Sequence, residues 1–211
     1  MLCEQCVRDS TPVSKDVCRK CAEPLSKPGT CTRCVIESSA LDRLYGSFLY
    51  ESPVGAAVRA FKFDDVRALA GVLGEMFNVE LMNRAEPELV LPVPMHKSRL
   101  RSRGYNQSEI LGRKLAERLS TEFRDDVLVR GHDTLPQSEQ PTADARRIAI
   151  QGAFSVDANH ETLISGKRVL LVDDVFTTGS TIQSAAAVLK AAGASWVGAA
   201  ALTVQPIGSL K

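Results

Sequence analysis

The chain has 211 residues, 44% of them apolar and 24% charged, with a formal net charge of +1. That balance is ordinary for a soluble globular protein and gives no general electrostatic footprint for nucleic acid, so a nucleic-acid partner would need a local patch. No apolar run reaches the ~18–20 residues of a membrane span, and the first residues lack the basic flank and apolar stretch of a signal peptide, so the expectation is a cytoplasmic protein with no membrane partner.

The chain opens on cysteine. All six cysteines lie before residue 35, in three Cys-x-x-Cys pairs: Cys3/Cys6, Cys18/Cys21 and Cys31/Cys34. With no secretory signal and a cysteine-free remainder, the pairs read as metal ligands rather than disulfides. Residues 1–37 hold too few large apolar side chains to build a core, so this segment needs a staple, and structural zinc is the expected one. One Zn²⁺ takes four thiolates in a closed site. Cys18, Cys21, Cys31 and Cys34, with nine residues between the two pairs, are the expected ligands, and Cys3 and Cys6 are the alternative pair.

From Leu41 the texture changes to that of a larger domain, expected over 41–211. Tyr45–Tyr50 has the aromatic content of a strand. Val54, Ala57, Val58 and Phe61 fall on one helical face, and Leu69, Leu73, Met76 and Phe77 form a second stripe; both are packing faces. Leu89–Pro94 predicts a buried strand ending at its prolines. A basic loop follows, then a helix with Leu111, Leu115 and Leu119 on one side, its start marked by Asn106 and Glu109 at capping-box spacing. A polar, aperiodic stretch runs from about Asp133 to Arg147. Val169–Val172 predicts a buried strand, followed by a helix through Leu189 that stops near Gly193, and Trp196–Val204 predicts a last strand. This order argues an α/β domain with a mainly parallel sheet, preceded by a small Cys-rich zinc ribbon.

The segment Val169–Thr181 carries the chemistry. An apolar strand leads into Asp173 and Asp174, and a Thr/Gly/Ser loop then opens a helix. In an open α/β sheet, ligands bind at the carboxyl ends of strands. Backbone N–H groups at a helix start, with the hydroxyls of Thr177, Thr178, Ser180 and Thr181, suit a phosphate dianion, and Gly179 permits close approach. Carboxylates repel phosphate, so Asp173 and Asp174 suit sugar hydroxyls or Mg²⁺ instead. A sugar phosphate satisfies both halves. Neither a Gly-x-x-x-x-Gly-Lys-Ser/Thr loop nor a Gly-x-Gly-x-x-Gly fingerprint occurs.

Val-Leu-Leu-Val-Asp-Asp-Val-Phe-Thr-Thr-Gly-Ser-Thr resembles the motif with which type I phosphoribosyltransferases bind 5-phosphoribosyl-1-pyrophosphate (PRPP). The resemblance implies that Asp173 and Asp174, as the catalytic pair, hold the ribose hydroxyls. It also implies that Thr177, Thr178, Gly179, Ser180 and Thr181 hold the 5-phosphate, with Mg²⁺ accompanying PRPP. It places a pyrophosphate loop after the earlier strand, where Lys97, Arg99 and Arg103 are chemically apt. A closing hood falls on Asp133–Arg147, with Gln137, Gln140, Arg146 and Arg147 in reach of substrate. With the N-terminal knuckles, Val-Pro-Met-His and Arg-Gly-Tyr-Asn-Gln-Ser, the whole order resembles the competence protein F family. That resemblance implies a role in natural transformation and DNA uptake, with a DNA helicase and a recombination mediator as partners. The chain departs from the family where Arg146-Arg147-Ile148-Ala149-Ile150 lacks an Asn before Ala153-Phe154, and in having three knuckles where a double ribbon has four. Two functions follow: a phosphoribosyltransferase whose acceptor the residues do not name, or a catalytically inactive PRPP- or nucleotide-sensing adaptor that binds single-stranded DNA or competence proteins.

Overall fold

The computed structural model describes residues 2–63, 68–131 and 153–205. In chain order the elements are α1 (Glu4–Arg8), α2 (Thr32–Ile36), β1 (Arg43–Leu49), α3 (Pro53–Phe63), α4 (Leu69–Glu75), α5 (Val79–Asn83) and β2 (Leu89–Pro92). There follow α6 (Lys97–Arg103), α7 (Gln107–Leu119), β3 (Glu122–Phe123), β4 (Leu128–Arg130), β5 (Phe154–Val156) and α8 (Glu161–Ile164). β6 (Arg168–Phe176), α9 (Ser180–Ala191) and β7 (Trp196–Val204) complete the order. Among the described residues no helix is long and apolar enough to cross a membrane.

The expected parallel sheet is present: β1-β7-β6-β2-β3, every pair parallel, beside a separate antiparallel pair β4-β5. Side chains alternate between its faces, as a period of two requires. Leu170 and Val172 point into a core with α3, α4 and α7, which present Val54, Val58, Phe61, Leu69, Leu73, Leu111 and Leu115. Val169 and Leu171 face the opposite core, shared with Ile182, Ala185, Ala186 and Leu189 of α9. Burial on both faces is why the central strands read as continuous apolar runs.

The cysteine-rich segment joins that second core, since Cys18, Cys21 and Cys34 pack in it beside Leu41 and Leu44. It also covers the free edge of β1, with Val13 N–H donating to Ser47 O at 3.1 Å, Leu49 N–H to Thr11 O at 2.8 Å and Leu44 N–H to Arg19 O at 2.7 Å. An uncovered edge would be a template for pairing with another chain.

Strand order also fixes where a ligand can sit. β2 continues to β3 on one side of the sheet, and β6 continues to β7 on the other, although β2 and β6 are neighbours. The connections leaving their carboxyl ends therefore diverge, and the sheet opens a crevice between them.

Candidate functional site

β6 runs on past the acids. The sequence places its end at Val172, but the strand continues through Asp173 and Asp174 to Phe176, because β7 keeps pace with it as far as the pair Phe176↔Val204. On the other side β2 stops at the pair Pro92↔Val172, with Val93 N–H donating to Val172 O at 2.9 Å as the last link. Proline has no N–H to extend the ladder. From Asp173 onward, that flank of β6 opens into the crevice.

The two acids differ. Asp173 lines a hollow formed with Val175 and the turn from Thr177 to Ile182. Its Oδ1 accepts from Ser108 Oγ at 2.8 Å and from Asp174 N–H at 2.9 Å. Asp174 is only 3% exposed and does not line the hollow. Its Oδ1 accepts from Lys62 Nζ at 2.7 Å, and its Oδ2 is buried without a hydrogen-bond partner. Desolvation, then the charge of Asp174, push Asp173 up to about 7 from the ordinary 3.8. The folded state therefore keeps a proton on Asp173 that the unfolded chain sheds near pH 4. The stability this supplies is complete below that pH and is lost as pH rises through about 7. Asp173→Asn should remove this loss: its melting temperature relative to wild type should climb between about pH 4 and about pH 7 and level off above, which a series of thermal melts would read.

The turn after β6 is built for close approach. Gly179 has φ +78°, a left-handed conformation, and caps α9 without a side chain. A Cβ there would lie 2.4 Å from Cζ of Phe176, whose ring is buried beneath it. The first turn of α9 thus has no N-cap side chain; Ser180 N–H donates to Thr178 Oγ1 at 3.4 Å, and the amides that follow it in the first turn are left to an anion. Thr178 Oγ1 and Ser180 Oγ are 2.9 Å apart, while Thr177 and Thr178 are exposed.

The basic run beyond β2 is a helix, not the loop expected from sequence. His96 Nδ1 accepts from Ser98 N–H at α6's start, and Gly104, in the left-handed region, ends it. Lys97 and Arg99 are exposed; Arg103 donates to Gln107 Oε1 at 2.8 Å. Each residue that follows has a place. Tyr105 is buried and its hydroxyl donates to Phe61 O of α3. Asn106 donates from Nδ2 to Val93 O at 3.1 Å and caps α7 by accepting from Ser108 N–H. Ser108 then reaches Asp173. Arg-Gly-Tyr-Asn-Gln-Ser therefore ties α3, the end of β2 and the acid of β6 together. Glu109 does not complete a capping box with a side-chain bond back to Asn106; it pairs with Arg113 at 3.4 Å.

Three residues join the site in roles the sequence does not announce, although Ser108 closes the Arg-Gly-Tyr-Asn-Gln-Ser motif. Lys62 holds Asp174, and Ser108 holds Asp173. Arg130, at the end of β4, stacks its guanidinium 5.3 Å over the Phe154 ring, and its Nε is buried with no hydrogen-bond partner. Burial first, then the charge of Arg99, lower its pKa, while Asp173 opposes them; Arg130 thus lies within electrostatic reach of both α6 and the hollow. The expected hood residues Gln137, Gln140, Arg146 and Arg147 lie outside the described residues.

The structure brings Cys18, Cys21, Cys31 and Cys34 together, with all four sulfurs within 4.8 Å of one another. Cys21 and Cys31 sulfurs are 3.7 Å apart. A tetrahedron with metal–sulfur bonds of ~2.3 Å has edges of about 3.8 Å, so the group has the dimensions of a four-thiolate zinc site. Cys31 N–H donates to Cys18 Sγ at 3.3 Å, the kind of contact that orients a thiolate ligand. Burial pushes the Cys21 thiol up to about 11 and the Cys34 thiol further, while backbone N–H groups outweigh burial at Cys18 and hold it at about 7.

Residues 106–211, half of the chain, match the phosphoribosyl transferase domain, and the chain belongs to that family. Its relatives include proteins named for DNA utilization, for competence and for adenine phosphoribosyl transfer. The DNA utilization protein YhgH of Salmonella typhimurium is 30% identical over 203 residues, covering 93% of this chain and 87% of that protein. The protein of the same name in Escherichia coli (strain K12) is 27% identical with the same coverage. Competence protein F of Haemophilus influenzae is 28% identical over 169 residues, 77% of this chain and 73% of its own.

Proposed function

We propose that the protein binds PRPP, with Mg²⁺ as the counter-ion of its pyrophosphate, in the hollow beyond β6, and that it serves DNA uptake or utilisation as its relatives' names imply. The observation that carries the reading is the turn over Phe176. Gly179 brings uncapped amides of α9 and the hydroxyls of Thr177, Thr178, Ser180 and Thr181 around one point, with Asp173 at its rim. The 5-phosphate takes the amides, and a ribose hydroxyl donates to Asp173. Lys97, Arg99 and Arg103, joined by Arg130, receive the pyrophosphate, where negative charge builds as an acceptor attacks C1. A structural zinc on Cys18, Cys21, Cys31 and Cys34 has no open position for chemistry.

Calorimetric titration of PRPP with Mg²⁺ into the wild-type chain and Asp173→Asn tests the site. At about pH 8, where Asp173 is ionised, the variant should bind at least about tenfold more weakly, as expected when a charge-assisted hydrogen bond is lost; equal affinity would sink the assignment. Asp174→Asn is the poorer probe, because it strips Lys62 of its partner inside the fold. Pyrophosphate release with a panel of nucleobases then separates transferase from adaptor. The Lys62–Asp174 pair favours the adaptor reading, since it engages a carboxylate oxygen that a transferase would present to ribose. Binding of single-stranded DNA that weakens with salt would support that second reading.

A further inference from the structure

Cys3 and Cys6 stand apart from the four-cysteine group, which among the described residues comprises Cys18, Cys21, Cys31 and Cys34. Their sulfurs are 3.4 Å apart, at positions three residues apart and so on one face of the chain where α1 begins. Cys6 N–H points at Cys3 Sγ from 3.5 Å. Cys3 is exposed and Cys6 partly covered. The backbone beneath them is fixed, because Ser10 Oγ donates to Cys6 O at 2.7 Å and accepts from Val54 N–H at 3.1 Å. Two thiols cannot close a four-ligand metal site. They can close a disulfide, for which the sulfurs must approach to about 2.0 Å, a movement that side-chain rotation can provide.

We propose that Cys3 and Cys6 form a reactive dithiol, separate from the four-cysteine group, whose substrate is a small-molecule disulfide. Cys3 attacks as the thiolate. One sulfur of R–S–S–R bonds to Cys3, and the first RS⁻ leaves. Cys6, as thiolate, then attacks the Cys3 sulfur, closing the Cys3–Cys6 disulfide and releasing the second RS⁻. Two electrons pass from the dithiol to the substrate disulfide, and the two protons shed by the cysteines end on the two released thiols. Exposure makes Cys3 the attacking group, and the Cys6 N–H steadies its thiolate. Contacts from Cys6 hold Cys3 below the ordinary thiol range, whereas the Cys3 contact raises Cys6, so Cys6 keeps its proton until the second step.

The test uses the full chain loaded with one equivalent of zinc and treated with oxidised glutathione. Trypsin cleavage after Arg8 isolates both thiols in a single peptide for mass analysis. Wild type should show an internal disulfide there while the other four cysteines stay reduced. Cys6→Ser should trap glutathione on Cys3, and Cys3→Ser should react on the order of tenfold more slowly than Cys6→Ser. Two results would overturn the proposal: a wild-type peptide that stays reduced or ends as a stable glutathione adduct, or zinc that is lost when Cys3 or Cys6 is replaced. Dimerisation of wild type on addition of further zinc, abolished by Cys3→Ser, would also overturn it by assigning the pair to a shared metal.

Discussion

Gly179→Ala is expected to cost about 2–5 kcal/mol of stability and to abolish PRPP binding. Two independent terms add. A non-glycine residue in the left-handed region costs roughly 1–2 kcal/mol, and Gly179 sits at φ +78°. Forcing a methyl group into a filled site costs about 1–3 kcal/mol more, and the new Cβ would meet Phe176 at 2.4 Å. The ring has little room to yield, being 1% exposed and packed in the core shared with Ile182. For a domain of this size, that loss lowers the melting temperature by on the order of 10 °C. Binding suffers separately, because the turn would have to shift away from the ring and carry the amides of α9 with it. Adding Phe176→Leu should relieve the steric term and recover part of the stability, leaving the φ penalty in place. Thermal melts with PRPP calorimetry on the single and double variants check this, and wild-type affinity in Gly179→Ala would falsify the role given to the turn.

Local signals and long-range contacts account for what the sequence disclosed and what it hid. Trp196–Val204 was legible to the residue, because a mostly apolar run, interrupted by Gly198 and Thr203 alone and bounded by Ser195 and Gln205, admits little besides a buried strand. β6 was legible only to Val172. Two adjacent carboxylates imitate the end of a strand, and only the pairing with β7 carries it onward. The run Lys97–Arg103 was misread because it has no apolar period; its helix depends on His96 and Gly104 at the ends, not on a packed face. Asp173, Thr177, Thr178, Gly179, Ser180 and Thr181 announced themselves as a contiguous motif. Their supports did not, since Lys62 lies 112 residues from Asp174 and Ser108 lies 65 from Asp173. A lone lysine at the end of an apolar helix, or a serine beside a cap, acquires its meaning only from what the sheet brings beside it.

Replacing Cys34 by Ser should release the metal and lower stability by several kcal/mol, a fall in melting temperature of 10 °C or more. Cys34 is 5% exposed and packs with Cys18 and Cys21 in the core that holds Leu41 and Leu44, so the thiolate group and the face of the sheet share one set of contacts. A chelator acting on the wild-type chain should reproduce the effect. Protons would connect a metal bound here to this core. Without metal, the raised Cys21 and Cys34 thiols stay protonated at neutral pH, and both must give up their protons when zinc binds. Adding zinc to the stripped protein in weak buffer should therefore acidify it, and lowering the pH should drive zinc off. Cys3→Ser should change neither zinc content nor melting temperature, because its exposed thiol lies outside the group of four. If chelation left the melting curve of the wild type unmoved, the four cysteines would be ordinary core residues, and the N-terminal segment would owe its place to the edge of β1 alone.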